Sequence, residues 1–236
     1  MLHQRKTVVV FSGGLDSTTL IYHLRSAGHL IRALSVNYGQ RHSRELEAAR
    51  HIAKSLGIEH RIIDLTGLAS LFGNNALTDH TVAVPLGEYS SETIPVTTVP
   101  NRNMILLALA TGWAVATQCD SVAFGAHAGE YTPYHDCQPQ FAAAMNAATH
   151  VCNDTPIEVL SPFVHWSKGD IVRRGTELGV PFRLTWSCYD GGTKHCGRCS
   201  TCLDRRNAFE SCGLTDLVEY DARYATCATG VLEGFD

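Results

Sequence analysis

The sequence predicts an α/β fold with a doubly wound, mostly parallel sheet, helices on both of its faces, and a small C-terminal segment organised by cysteines. Over residues 1–65, apolar or β-branched runs alternate with stretches of helical spacing, which is the pattern of βαβ units. A turn rich in glycine and serine follows the first run, at residues 12–17. Four cysteines lie within residues 188–202. We therefore expect an α/β domain over residues 1–182 and a cysteine-bearing segment over 183–236 packed on it.

A strand, a turn and a helix follow each other at the start of the chain. The run Thr7-Val8-Val9-Val10 has the β-branched composition of a strand. Apolar residues recur at helical spacing over residues 17–27, and Gly28 suits the C′ position that ends a helix. Residues 30–37 then predict a second strand.

The alternation continues with a helix over residues 43–56, ended by Gly57, and a third strand over 61–65. Strands joined in this way form right-handed crossovers in a parallel sheet, and such sheets bind ligands beyond the carboxyl ends of their strands. Residues 66–100 are polar and show no sustained period, which predicts a functional loop or flap.

The second half of the chain continues the α/β pattern. Residues 104–110 are apolar on nearly every side, which predicts a buried central helix. Ser167 and Asp170 have capping-box spacing at the start of another helix. The further predicted elements are strands at 121–125 and 157–160 and helices at 138–150 and 167–178.

The composition is typical of a soluble globular protein, and it argues against nucleic acid and membranes as partners. The net charge of the 236 residues is -4 and the basic residues are scattered along the chain. A surface that binds nucleic acid usually has a basic excess, so the sequence argues against nucleic acid as a partner. No apolar stretch reaches the ~20 residues that span a membrane, and the N-terminal run is too short for a signal peptide. We expect a cytoplasmic protein. Its nine cysteines then favour ligands or free thiols over disulfides.

The turn at residues 12–17, S-G-G-L-D-S, predicts an anion site. A strand, a glycine turn and a helix N-terminus direct backbone N–H groups at one point, which attracts phosphate. Ser12 and Ser17 add hydroxyl donors, and Asp16 offers oxygen ligands to Mg²⁺. The alternative is a tight turn without a ligand, because serine, glycine and aspartate favour turns in any case.

Polar residues at two further places are candidates for substrate binding. Arg102 and Asn103 begin the apolar helix, where they would either face an anion or only cap the helix. Residues 126–137 follow a predicted strand and include Glu130 and Asp136, which would either bind a substrate or belong to a solvated loop.

The cysteine spacing C-x7-C-x2-C-x2-C predicts a closed tetrahedral zinc site. An iron–sulfur run of the ferredoxin type would need a fourth cysteine soon afterwards and then proline, whereas Leu203 and Asp204 follow the last cysteine. A site with four thiolates has no open position, so the metal should stabilise the fold instead of taking part in the reaction. The predicted ligands are Cys188, Cys196, Cys199 and Cys202.

The sequence S-G-G-L-D-S after an apolar strand resembles the pyrophosphate loop of the N-type ATP pyrophosphatase superfamily, whose members split ATP between its α- and β-phosphates to adenylate a substrate. Together with Arg102-Asn103, residues 125–137 and the run from Leu184 to Cys202, the order of motifs resembles the 7-cyano-7-deazaguanine synthase family over nearly the whole chain. One departure is Asn101, where we expect glycine; asparagine tolerates positive φ, so the turn should survive.

The resemblance implies an adenine nucleotide alpha-hydrolase-like fold, the cofactors ATP, Mg²⁺ and Zn²⁺, and conversion of 7-carboxy-7-deazaguanine and ammonia to the nitrile through an amide. It implies catalytic roles for Ser12, Asp16, Ser17 and Arg102, and substrate binding by Arg102, Asn103, Glu130 and Asp136. The implied nucleotide-binding residues are Phe11, Ser12, Gly13, Gly14, Leu15, Asp16, Ser17, Thr18, Thr19, Leu20 and Ile21. The family also suggests a homodimer.

Three other functions stay open at this point. A related loop enzyme could adenylate a tRNA base for thiolation, but it would need a redox cysteine pair or iron–sulfur centre and a basic surface. A zinc-ribbon binding module would have no use for the loop at residues 12–17. A paralogue that stops at the amide would differ in its product, and one that takes another carboxylic acid would differ in its substrate.

Overall fold

A computed structural model describes residues 4–127 and 134–221. Within them, five strands form one parallel sheet, as the sequence predicts, and the strand order is β3-β2-β1-β4-β5. The strands are β1 Lys6–Val10, β2 Leu30–Asn37, β3 Glu59–Asp64, β4 Ser121–Ala123 and β5 Glu158–Leu160. The helices are α1 Leu15–Ser26, α2 Arg44–Leu56, α3 Thr93–Val96, α4 Arg102–Ala116, α5 Pro139–Val151, α6 Lys168–Glu177 and α7 Ser200–Ser211.

The sheet separates two apolar cores, which confirms the doubly wound arrangement. Val8 and Val9 are neighbours on β1 and are both fully buried, so their side chains lie on opposite faces of the sheet. Val9 packs with residues of α1, α2, α6 and α7, and Val8 packs with residues of α4 and α5. The chain order reverses between β1 and β4, and ligands bind at such switch points of open parallel sheets.

The apolar helix α4 is buried on one face only, so the expectation of a helix buried on nearly all sides was wrong. Leu107, Ala110 and Ala114 are buried against the sheet, whereas Met104 is 46% and Val115 is 45% exposed. Within the described residues no helix combines the length and apolarity that crossing a membrane requires.

Several boundaries differ from the predicted ones. Helix α1 begins at Leu15, two residues before the predicted start, because the glycine turn leads directly into it. The segment predicted as a loop contains a 3₁₀ helix, Thr66–Phe72, and the short α3. Helix α7 was not predicted, and it begins within the cysteine run.

A buried ion pair lies within the C-terminal segment, and its arginine also contacts the end of the α/β part. Arg205 on α7 is fully buried and donates two hydrogen bonds to Asp216, at 2.7 and 3.0 Å. It also donates to Thr185 Oγ1 at 2.8 Å and to the carbonyl oxygen of Phe182 at 3.0 Å. Burial raises the pKa of Asp216, but the hydrogen bonds and charge of Arg205 outweigh it and hold that pKa below its usual value. Arg205 therefore stays paired with Asp216, and its hydrogen bond to the Phe182 carbonyl oxygen joins α7 to the end of the α/β part.

The capping box predicted for α6 is present, and its removal has a defined cost. Ser167 Oγ accepts the backbone N–H of Asp170, and Asp170 Oδ2 accepts the backbone N–H of Ser167. We expect Ser167→Ala to lower the free energy of unfolding by about 1 kcal/mol, as measured by urea denaturation. Ser55→Ala, on the exposed side of α2, is the control and should change it by less than about 0.5 kcal/mol. Equal effects of both changes would contradict a stabilising cap.

Candidate active site

A cavity of about 460 Å³ lies at the carboxyl ends of β1, β2 and β4. Its walls come from the serine-glycine loop, the start of α4, the residues after β4, and the cysteine-bearing segment. The predicted anion loop, the predicted substrate residue Arg102 and the C-terminal segment therefore meet in one space. In this arrangement the separate motifs of the sequence can act on one molecule.

The loop at residues 12–17 is internally hydrogen-bonded and open to the cavity. Ser12 Oγ lies 3.1 Å from Ser17 Oγ, and the backbone N–H of Gly14 donates to Ser12 Oγ at 3.2 Å. Gly13 has φ +82°, and a Cβ there would lie 2.3 Å from the carbonyl oxygen of Glu45 on α2. Only glycine fits between the loop and α2, so the sequence requirement for Gly13 has a steric cause.

Apart from Gly13, which packs against α2, the implied nucleotide-binding residues divide into two groups. Phe11, Ser12, Gly14, Leu15, Asp16 and Ser17 line the cavity. Thr18, Thr19, Leu20 and Ile21 are buried along α1, where Thr18 Oγ1 donates to the carbonyl oxygen of Gly14 at 2.7 Å. The second group supports the helix behind the loop and does not line the cavity.

Charged side chains form a cluster at the base of the loop. Lys168 Nζ lies 3.3 Å from Asp16 Oδ2 and 2.9 Å from Asp204 Oδ2, and His127 Nε2 lies 3.9 Å from Asp16 Oδ2. The other oxygen of Asp16, Oδ1, is buried and has no hydrogen-bond partner in the described part of the chain. The cluster thus presents one ammonium group and one unused carboxylate oxygen beside the loop.

The pKa values of this cluster favour the charged forms of Asp16 and Lys168 and the neutral form of His127. Burial raises the pKa of Asp16, but Lys168 and His127 together outweigh it, so the pKa lies below its usual value. Burial lowers the pKa of Lys168, but the carboxylates of Asp16 and Asp204 raise it by more than burial lowers it. The side chain therefore stays protonated. Burial holds the pKa of His127 below its usual value, despite the opposing effect of Asp16.

Arg102 projects into the cavity from the first turn of α4. Burial lowers the pKa of its guanidinium, but the nearby Tyr38, Tyr189, Cys137 and Asp136 outweigh it, so Arg102 remains protonated. Among residues 4–127 and 134–221, no carboxylate oxygen lies within 4.0 Å of its nitrogens. A half-buried cation without a close acidic partner is suited to an anionic ligand.

Asn103 and Asp136 hydrogen-bond to each other. Asp136 Oδ2 accepts the backbone N–H of Asn103 at 3.0 Å, and Asn103 Nδ2 donates to the carbonyl oxygen of Asp136 at 3.0 Å. Asn103 lines the cavity, whereas Asp136 lies behind it and caps α4. Glu130 lies outside the described residues. Asn101 has φ 53°, the left-handed conformation that its asparagine was expected to tolerate.

Four tyrosines form one wall of the cavity, and among them Tyr134 alone lies in a segment, residues 126–137, that the sequence predicted to bind substrate. Tyr89 Oη lies 3.3 Å from Tyr189 Oη, and the Tyr89 and Tyr134 rings meet edge to face at 5.9 Å. Burial raises the pKa of Tyr38 to about 12, so this phenol is neutral. These tyrosines come from four distant stretches of the chain, and no local motif brings them together. The wall is suited to a flat ring that makes apolar contacts.

The four cysteines converge as predicted. The Sγ atoms of Cys188, Cys196, Cys199 and Cys202 lie within 4.8 Å of one another, and all four residues are buried. Four buried thiols at this separation fit one Zn²⁺ ion in tetrahedral coordination. The donor set is all sulfur, which suits zinc better than the oxygen-seeking ions Mg²⁺ and Ca²⁺.

The cysteine cluster is connected to the loop by its own chain. The backbone N–H of Trp186 donates to the carbonyl oxygen of Gly13 at 3.0 Å, and Trp186 Nε1 donates to the carbonyl oxygen of Cys188 at 2.9 Å. Asp204, which contacts Lys168, lies two positions after Cys202. The cysteine cluster is thus connected through Trp186 and Asp204 to two parts of the cavity.

Comparison with known proteins is consistent with this geometry. The family model described as "Queuosine biosynthesis protein QueC" matches residues 6–213. A 7-cyano-7-deazaguanine synthase of Marinomonas sp. is 43% identical over 217 residues, which cover 92% of this chain and 99% of the relative. The enzyme of the same name from Hahella chejuensis is 46% identical, over 92% of this chain and 94% of the relative.

A solved structure shares the fold. The crystal structure of a 4-thiouridine synthetase–RNA complex with bound ATP aligns with a TM-score of 0.50 and 20% sequence identity. The alignment covers 75% of this chain and 41% of that one. At this identity the likeness concerns the architecture of the sheet and its helices.

Proposed function

The chain belongs to the QueC family of queuosine biosynthesis proteins, and from this membership we propose that it converts 7-carboxy-7-deazaguanine, ammonia and ATP to 7-cyano-7-deazaguanine. The observation that best supports this chemistry is the common cavity of the serine-glycine loop and Arg102. The loop suits the phosphates of ATP, and the guanidinium suits the carboxylate that the nucleotide activates.

Activation is needed because a carboxylate is a poor acyl donor to ammonia. In our proposal the substrate carboxylate attacks the α-phosphorus of ATP, pyrophosphate leaves, and AMP becomes the leaving group. Ammonia then displaces AMP to give the amide, and activation of the amide oxygen by a second ATP permits dehydration to the nitrile. Arg102 holds the acid close to the nucleotide, which lowers the entropic cost of the first attack.

Ser12, Ser17 and Lys168 bind the departing phosphates in this proposal. The two hydroxyl groups lie 3.1 Å apart at the start of α1, so both can donate to one phosphate group. The raised pKa of Lys168 keeps its ammonium in place to stabilise the charge that develops on pyrophosphate. Thr18, Thr19, Leu20 and Ile21 support α1 from its buried side, and Gly13 permits the close approach of α2.

Asp16 fits the role of a Mg²⁺ ligand. Its Oδ1 is buried without a hydrogen-bond partner among the described residues, and it lies beside a loop suited to phosphate. Mg²⁺ takes carboxylate and phosphate oxygens as ligands. When bound, the ion supplies charge neutralisation at the phosphates.

Recognition of the deazaguanine ring is assigned to the tyrosine wall and to Asn103, with Glu130 and Asp136 as the acidic candidates. A flat bicyclic ring fits against Tyr89 and Tyr134, and a carboxylate can accept hydrogen bonds from its N–H edge. Because Asp136 already accepts from the helix N-terminus, we favour Glu130 for that contact.

Zn²⁺ has a structural role in this proposal, with Cys188, Cys196, Cys199 and Cys202 as its ligands. We also propose a cytoplasmic homodimer. The exposed apolar residues Met104 and Val115 on α4 are compatible with a second copy of the chain packing there. Light scattering that finds only monomers would contradict the dimer.

Mass spectrometry of the reaction products tests the function. The purified zinc-loaded chain, incubated with 7-carboxy-7-deazaguanine, ammonium chloride and Mg-ATP, is expected to yield the nitrile with the amide as a transient intermediate. Two AMP per nitrile should appear, because each oxygen is activated separately. Omission of ammonia should leave the acyl adenylate.

Each alternative has its own outcome in this assay. Amide as the final product identifies an amide-forming ligase and overturns the nitrile assignment. Absence of any ATP consumption that depends on the deazaguanine acid removes the proposed substrate. Turnover with tRNA and a sulfur donor, but not with the acid, would identify a thiolation enzyme.

A further inference from the structure

A buried hydroxyl group on β2 lies next to the start of the serine-glycine loop and has no role in the function described so far. Ser35 is fully buried, and it does not line the cavity, although its neighbours Leu34 and Val36 do. Side chains two positions apart on a strand share a face of the sheet, so Ser35 lies on the face of Ala33, which packs with residues of α1 and α2. A hydroxyl group in such a core is unfavourable unless it is hydrogen-bonded.

Ser35 is hydrogen-bonded on two sides. Its Oγ donates to the carbonyl oxygen of Phe11, the residue that precedes the loop. His60 on β3 lies with its Nε2 2.8 Å from the same Oγ, and its ring meets the Phe11 ring edge to face at 5.9 Å. Because a serine hydroxyl has one proton, which is donated to Phe11, Oγ accepts the proton of His60 Nε2. The imidazole therefore sets the direction in which the hydroxyl donates.

The carbonyl oxygen of Phe11 depends on this hydroxyl. The pairing of β1 with β2 ends at Val10 and Leu34, where the chain leaves the sheet and enters the loop. Within residues 4–127 and 134–221, no backbone N–H donates to the Phe11 oxygen. A buried carbonyl oxygen needs a donor, and Ser35 supplies the one that the sheet does not.

The peptide unit between Phe11 and Ser12 is held at both of its ends. Its oxygen accepts from Ser35, and its N–H, which belongs to Ser12, donates to Ser17 Oγ at 3.3 Å. A trans peptide unit is planar, and its C=O and N–H point in opposite directions. Fixing the oxygen therefore also fixes the direction of the Ser12 N–H, which contacts the hydroxyl of Ser17.

We infer that Ser35 is a positioning residue for nucleotide binding. It holds the peptide unit before Ser12 in the orientation that brings the hydroxyls of Ser12 and Ser17 together, and His60 orients Ser35. The inference rests on the proposed function, in which those two hydroxyls bind the phosphates of ATP. Without the Ser35 hydroxyl, the Phe11 carbonyl turns toward another donor. The loop is then competent to bind phosphate in only a fraction of the molecules, and the apparent affinity falls by that fraction.

A second hydroxyl–histidine pair, at the opposite end of the sheet, provides a matched control. Thr7 lies near the amino end of β1 and is fully buried. Its Oγ1 lies 2.8 Å from His29 Nδ1 and 2.8 Å from Ser121 Oγ. Removing this hydroxyl should destabilise the fold in the same way as removing that of Ser35. It should leave the loop unchanged, because the loop begins at the other end of the strand.

Calorimetric titration of the full-length zinc-loaded chain with Mg-ATP, without the deazaguanine acid, tests the inference. Ser35→Ala should raise the Kd for Mg-ATP by about tenfold, because about one loop in ten would keep the competent orientation. Thr7→Val should leave that Kd near the wild-type value. Urea denaturation should show comparable losses of stability in the two variants, since each lacks one buried hydroxyl.

Steady-state kinetics distinguish a positioning role from a general loss of structure. In Ser35→Ala the KM for ATP should rise by about tenfold, whereas kcat at saturating ATP and the KM for the acid should stay near their wild-type values. Ser35→Thr keeps the hydroxyl and should restore tight binding of ATP. His60→Leu removes the group that orients the hydroxyl and should raise the Kd for Mg-ATP by about threefold.

Failure of the inference and failure of the proposed function have different outcomes. A wild-type chain that binds no Mg-ATP contradicts the proposed function, and the inference fails with it. Equal Kd values for the wild type and Ser35→Ala overturn the inference alone. An equal rise of the Kd in Thr7→Val also overturns it, because lost stability would then be the cause. If Ser35→Ala does not fold, His60→Leu decides: a wild-type Kd overturns the inference, and a raised Kd beside an unchanged Thr7→Val supports it.

Discussion

Replacing Cys199 by serine is expected to abolish nitrile formation and to lower the melting temperature more than any other single change considered for this chain. Binding of zinc by four thiolates is typically worth about 10–16 kcal/mol at neutral pH, comparable with the stability of a whole domain. Cys199 is also the N-cap residue of α7, and serine is a good N-cap. The N-cap is therefore retained in Cys199→Ser, and the expected loss of stability measures the missing metal ligand.

Thermal unfolding, metal analysis and ATP binding measure this effect. We expect Cys199→Ser to lose its bound zinc and to bind ATP weakly, because Trp186 and Asp204 connect the cysteine segment to the cavity. Cys152→Ser is the matched control, since Cys152 is exposed and lies outside the cluster. A Cys199→Ser chain with normal melting and normal ATP binding would contradict the structural role of the site.

Replacing Arg102 by glutamine is expected to lower kcat/KM for the deazaguanine acid by about 10²- to 10³-fold. Removing one partner of a buried charge pair typically costs 2–5 kcal/mol, and each ~1.4 kcal/mol corresponds to a factor of ten. Glutamine keeps hydrogen-bond donors but has no charge to offset the carboxylate. The fold should persist, because no carboxylate of the described residues lies within 4.0 Å of Arg102 to be left unpaired.

Steady-state kinetics with the acid and with the amide as starting substrates make this test specific. The amide carries no charge, so Arg102→Gln should affect its conversion less than that of the acid. Arg173→Gln removes an exposed arginine on α6 that pairs with Asp170, and it should leave both activities near their wild-type values. Equal losses for the acid and the amide would argue that Arg102 contacts ATP and not the carboxylate.

Local sequence signals were sufficient for the parts of the structure that depend on neighbouring residues. The serine-glycine loop, the capping box at Ser167 and the cysteine spacing each lie within a short stretch, and the structure contains all three. The parallel direction of the strands was predictable from the alternation of helices and strands. These features need no knowledge of distant contacts.

Features that depend on tertiary contacts were not predictable in this way. Apolar composition alone could not show that α4 has an exposed side at Met104, because that depends on which elements cover it. Tyr89 and Tyr189 are one hundred positions apart and meet only in the folded chain.

The hydrogen bond from Trp186 to Gly13 has a consequence for any attempt to use this protein in parts. A chain shortened to residue 182 would keep all five strands but lose the donor that the Gly13 carbonyl accepts and the Asp204 partner of Lys168. Such a fragment would be a poor nucleotide binder even if it remained folded. Transplanting the activity into another scaffold therefore requires the cysteine-bearing segment to be included together with the sheet.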